Sequence, residues 1–129
     1  MSFYLGVWKS LTAISDDEAA GEYRVLSEGK SAPAGFDNQV YAFYSRLTDL
    51  YPEIDLLPEA ELDASPWACA IDMSGSHVIM AILPEKTESV VPKVLALAEQ
   101  HELVCFDPHA GKVYLPPHLR ARQSGAAGA

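Results

Sequence analysis

The sequence predicts an α+β fold, a ferredoxin-like or related two-layer sandwich in which a mainly antiparallel sheet carries its helices on one face. Three observations point to it. The elements read β-α-α-β-β-α-β with a short extra strand at the end. All three helices have a single apolar face, and two sit where a split βαβ arrangement requires its crossovers, if the two N-terminal helices together serve as one. Patterning alone leaves a related α+β sandwich with another strand order open.

Ser2 to Trp8 sets aromatic and apolar residues among small ones and reads as the first strand. Ser15-Asp16-Asp17-Glu18 has the form of a capping box, with Ser15 as N-cap and acids at the positive end of the helix dipole. Ala19, Tyr23 and Leu26 then share one face of that helix. Ser27 to Gly35 has the Ser, Pro and Gly punctuation of a loop. The second helix, about Asp37 to Leu50, spaces Val40, Phe43, Tyr44, Leu47, Leu50 and Tyr51 along one side, and Pro52 stops it.

Pro52 to Pro66 (PEIDLLPEAELDASP) is an acidic, proline-punctuated connection. It is much longer than the roughly 4–6 residues typical of a compact domain, and loops of this kind are often functional. Trp67 to Met73 and His77 to Leu83 are β-rich runs joined by Ser74-Gly75-Ser76, the signature of a hairpin. The third helix covers about Thr87 to His101, with Pro92 expected in its first turn, where a missing N–H costs little. Leu103 to Phe106 is a strand, Asp107 to Gly111 a turn, and Lys112 to Leu115 a last short strand. Residues 1–119 are expected to form one α+β domain, and 120–129, small and polar, a disordered tail.

A chain of 129 residues with 49% hydrophobic and 21% charged residues can bury a core without metal or disulfides. No apolar run approaches the ~20 residues that span a bilayer. The N-terminus, MSFYLGVWKSL, lacks the features of a signal peptide, so a cytoplasmic location is expected, with Cys69 and Cys105 as buried free thiols. Eighteen acidic against 9 basic residues give a net charge of −9. Such a field repels nucleic acid and anionic membranes and favours a basic protein partner.

Reactive residue types are present, but their spacing argues against chemistry. His77, His101, His109 and His118 form no close ligand pairs, and Cys105 with His109 is an incomplete metal site. Cys105 lies between Val104 and Phe106 in a strand, a core setting rather than that of a nucleophile paired with His101 or His109. His101 falls in the last turn of a helix, and His109 sits at the tip of a turn. The carboxylate groups Asp16/Asp17, Glu53/Asp55 and Glu59/Glu61/Asp63 occupy helix starts and solvated loops. Asp72 alone lies inside a strand; pointing inward it would need a partner such as His77 across the hairpin. No phosphate-binding, dinucleotide or nucleophile-elbow motif occurs. No catalytic residue, cofactor or metal is therefore assigned.

A protein surface remains. Ile54, Leu56 and Leu57 stand among five acids in the proline-punctuated loop, and Trp8 and Trp67 lie at strand ends. The structural reading of both tryptophans is that they cap the core between sheet and helices.

FYLGVW, VYAFYSRLTDLYP, SPWACAIDMSGSHVIMAI and VLALAEQHELVCFDPHAGKVYLP together resemble a family of small uncharacterised bacterial proteins. The family shares an aromatic first strand ending in Trp, an aliphatic segment closing on Asp-Pro, and a final strand ending in Pro. The resemblance runs from Ser2 to Pro117. It carries over no activity, cofactor or site residue, and it implies an immunity or accessory protein. The leading expectation is thus a non-enzymatic interaction module for a basic partner. A small-molecule-binding or enzymatic pocket near Trp8, Asp72, His77 and His101 is the alternative, and homodimerisation through an open sheet face is a third.

Overall fold

Strand β1 (Phe3–Trp8) lies at the middle of the sheet because it has something to bury on both sides. Leu5 and Val7 point one way, and Gly6 and Trp8 the other. The computed structural model describes residues 2–32 and 35–120. β3 (His77–Ile82) pairs along the whole of β1, from Phe3 opposite Ile82 to Trp8 opposite His77. β4 (Val104–Asp107) flanks β1 on its other side; β2 (Asp72–Met73) and β5 (Lys112–Tyr114) form the edges. The order is β2-β3-β1-β4-β5, and every pair is antiparallel. β1 reaches β2 through α1 (Asp16–Ser27) and α2 (Asn38–Leu50), and β3 reaches β4 through α3 (Thr87–Gln100). Among the described residues no helix is long and apolar enough to cross a membrane.

The sheet with α2 and α3 makes the expected layered sandwich. Val40, Phe43 and Leu47 of α2 and Val90, Val94 and Leu97 of α3 bury Leu5, Val7, Val78, Met80, Ile82 and Cys105. The expectation that every helix shares this face is corrected by α1. Its Ala19, Tyr23 and Leu26 cover the opposite face, over Trp8, Val104 and Phe106. The reason lies in the strands: all six residues of β3 are buried, the continuous apolar signature of a strand covered on both sides. Gly6 lets α1 approach, since a Cβ there would lie 2.7 Å from the Tyr23 ring.

The chain must then pass from one face to the other between α1 and α2, and it does so around the β2–β3 turn. The Ala32 N–H donates to Ser76 Oγ (3.2 Å) and the Asp37 N–H to the Gly75 carbonyl (3.1 Å). The Phe36 ring lies so close over Gly75 that a Cβ there would sit 1.9 Å from it.

Local signals behave as their chemistry dictates. The capping box forms, with Ser15 Oγ accepting from the Glu18 N–H (3.1 Å) and Glu18 Oε1 from the Ser15 N–H (2.9 Å). Three expectations change. The run Trp67–Met73 is strand only at Asp72–Met73; Trp67 makes a single bridge to Ile82, and five residue steps on this side span three on β3. The resulting bulge turns Cys69 outward, so only Cys105 is buried. Pro92 lies inside α3, past its first turn, and withholds an N–H on the exposed side of the helix. The tail expected to be disordered falls outside the described residues except for Arg120, which is helical together with residues 117–119.

Candidate functional site

Both tryptophans belong to the core. Trp8 is fully buried, and its indole N–H donates to Glu22 Oε1 of α1 at 2.9 Å. Trp67 is equally enclosed; its N–H donates to the Tyr51 carbonyl at 2.9 Å, and the Tyr51 ring meets it edge-on at 6.0 Å.

Asp72 and His77 do meet across the hairpin, with Nε2 of the histidine 3.5 Å from Oδ2 of the aspartate. That separation allows attraction but is long for a hydrogen bond, and Nε2 has no hydrogen-bond partner among the described residues. His77 Nδ1 faces the hydroxyls of Ser74 (3.1 Å) and Ser76 (3.3 Å), and Ser74 Oγ in turn accepts the Ser76 N–H at 3.1 Å. The cluster closes a turn that the α1–α2 connection crosses.

His101 is on the other side of the sheet. Its Nδ1 lies 2.9 Å from the Leu97 carbonyl, and its ring stands edge-on to Phe43 of α2. Trp8, Asp72 and His77 thus share one face while His101 lies beyond the opposite one, so the four do not converge on one pocket. His109 stacks on Phe3 with ring centres 5.0 Å apart, and its N–H donates to Asp107 Oδ1. Burial, with a smaller contribution from Asp107, pushes the Cys105 thiol well above its ordinary pKa, which suits a core thiol and not a nucleophile. Among the described residues no three His, Cys, Asp or Glu side chains converge as metal ligands.

The acidic connection is built differently. It folds into two 3-10 turns, Ile54–Leu56 and Glu59–Ala64, and is tied down at its start by Glu53. Tyr44 donates its hydroxyl to Glu53 Oε2 at 2.6 Å, and the Ile71 N–H donates to Oε1 at 3.0 Å. One carboxylate thereby joins α2, the loop and the bulge before β2. The bond to Glu53, then burial, raises the Tyr44 pKa to about 12. Ile54 tucks against the core, whereas Leu56 is 79% exposed, with Leu50 at 46% and Leu62 at 38%.

Leu57 lies half-buried in a groove of about 310 Å³ between the end of α2 and the second turn, lined also by Leu50, Tyr51, Pro52, Glu61 and Pro66. Asp49, Glu53, Asp55, Glu59, Glu61 and Asp63 occur in this stretch, and no Lys or Arg occurs between Arg46 and Lys86. A second groove of about 400 Å³ runs between α3 and β5. Its charges are mixed: Lys112, and Arg120 paired to Glu99 at 3.1 Å.

The expected site residues therefore divide. Leu56 is exposed and Leu57 lines the groove while Ile54 packs inward against the core; Trp8, Trp67 and His77 are buried, and His101 stands against Phe43 at the end of α3. The sequence reading missed Glu53 as a tether, whose only local signal is its place beside the helix-stopping Pro52. Comparison with models of known protein families, with curated proteins and with solved structures returned no match to this chain.

Proposed function

We propose that this protein is a non-enzymatic interaction module that recognises a basic protein partner through the acidic surface at residues 49–63. The observation that carries this reading is the exposure of Leu56 and Leu62 on a loop tethered by Glu53 and lined with carboxylates, with Leu50 exposed beside them at the end of α2. Exposed apolar side chains within a charged rim have the composition of an interaction patch. The surrounding negative field would steer a basic partner and hold off acidic ones.

The resemblance to small bacterial proteins supports an immunity or accessory role in the cytoplasm, the basic partner then being a toxin that this protein neutralises. The order β2-β3-β1-β4, connected through helices on either side of the β2–β3 hairpin, supports reading the fold as ferredoxin-like with β5 added at one edge. Homodimerisation through the sheet has less behind it. α1 occupies the second face, and Asp16 Oδ1 accepts the N–H of Val113 on edge strand β5 at 2.8 Å.

The test is recovery of partners from the native host with the tagged protein, followed by a salt series. The reading expects one stoichiometric, basic partner that is released as salt rises. No stoichiometric partner, or one whose binding ignores salt, contradicts it.

A further inference from the structure

We infer that the groove between the end of α2 and the Glu59–Ala64 turn is the docking point for a leucine-like side chain set between lysines or arginines in the partner. This inference rests on the reading of the protein as a module for a basic partner, and it adds a place and a sequence chemistry to it.

Three features converge on that occupant. The groove has an apolar interior, supplied by Leu50, Tyr51, Pro52 and Leu57, and its size, at the lower end of ligand pockets, suits a side chain or two. Glu61 forms part of its wall, and Asp49, Asp55, Glu59 and Asp63 lie close along the same chain segment, outnumbering the one basic side chain beside it, Lys93, whose Nζ lies 5.9 Å from the centre of the Tyr51 ring. An apolar side chain alone would leave these carboxylates unanswered. A purely basic segment would leave Leu56 and Leu57 without contact. A segment with both satisfies both.

The third feature is that the site is already shaped. The Trp67 indole holds the Tyr51 carbonyl behind the groove, Ser65 donates its N–H to the Leu62 carbonyl, and Glu53 anchors the loop's start. Binding to a formed groove avoids the cost of ordering a loop. A second copy of this chain is a poor occupant, because two molecules each carrying a net charge of −9 would meet carboxylate to carboxylate. The α3–β5 groove lacks this complementarity, since Lys112 and Arg120 border it.

The test uses fluorescence anisotropy at low salt with a short labelled peptide of lysines and arginines carrying two central leucines, against the same peptide with serines in their place. The intact protein should bind the leucine peptide about tenfold or more tightly than the serine peptide. Glu61→Lys should weaken the leucine peptide by about fivefold or more. Glu28→Lys, an equal charge change at the end of α1, should stay within about twofold. Leucine and serine peptides binding alike, or Glu28→Lys weakening binding as much as Glu61→Lys, would overturn the groove inference while the basic-partner reading stood. No binding by either peptide would remove both. A dimer in light scattering that Leu56→Ser abolishes would make a second copy the occupant and likewise overturn it.

Discussion

The β2–β3 turn and the acidic loop before β2 are both crowded with polar residues, and they use them in opposite ways. At the turn, Asp72, Ser74, Ser76 and His77 face one another, and the α1–α2 connection is fastened across them. Among the loop's acids only Glu53 is hydrogen-bonded inward, to Tyr44 and Ile71, while the remaining acids and Leu56 face solvent. The constellation that looks most like chemistry is thus architecture. The long loop that the sequence already marks as unusual is the one with apolar and charged groups unengaged by the fold.

That contrast can be broken by mutation. The largest effect should come from Trp67, the support behind the loop: Trp67→Ala should cost about 3–5 kcal/mol in chemical denaturation. Leu56→Ala, 79% exposed on the loop itself, should change stability by no more than about 0.5 kcal/mol. A cost above about 2 kcal/mol for Leu56→Ala would show that the loop's apolar residues belong to the core.

The turn offers a second comparison. His77→Ala should cost about 1–3 kcal/mol, because it removes a buried ring that the Ser74 and Ser76 hydroxyls face. Asp72→Ala should cost less than about 1 kcal/mol, since its side chain is largely exposed and the contact to His77 is long. Equal costs would mean that the pair acts as a unit, and the structural reading of the turn would need revision.

Glu53→Gln should be milder, about 1–2 kcal/mol, because one acceptor oxygen is kept while the charge is lost. It carries a distinct optical signature. With the Tyr44 pKa raised to about 12 in the folded protein against an ordinary 10.0, this hydroxyl contributes stability that is complete below pH about 10. That stability is lost as pH rises towards about 12. Alkaline titration followed by tyrosinate absorbance should show two late-ionising tyrosines in the wild type, Tyr23 held up by burial and Tyr44 by its bond to Glu53, and only the Tyr44 step should move back towards 10.0 in Glu53→Gln. An unchanged Tyr44 step would break the tether argument. Smallest of all, Cys69 should react with a thiol reagent in the native protein and Cys105 only on unfolding, with Cys69→Ser leaving stability within about 0.5 kcal/mol.

Much of this architecture is legible in the residues. The Ser15–Glu18 capping box and the spacing from Val40 to Leu47 identify their helices because both signals are local. The side on which α1 packs is not local: it depends on β1 and β3 being apolar on both faces, which an unbroken run such as HVIMAI hints at without assigning a cover to each face. The bulge at Cys69 was equally hidden, because it arises from the need to bury both Trp67 and Ile71 against β3 and the core. At the candidate surface, Ile54, Leu56 and Leu57 were visible as apolar residues in an acidic loop. That the loop is held still was not, since the tether joins Glu53 to groups 9 and 18 residues away.

The most direct test of the central claim is amide hydrogen exchange of the protein alone and bound to the basic partner recovered from its host. The account predicts added protection across residues 49–66 and none at the 72–77 turn. Protection centred on the turn, or confined to the face covered by α1, would contradict it.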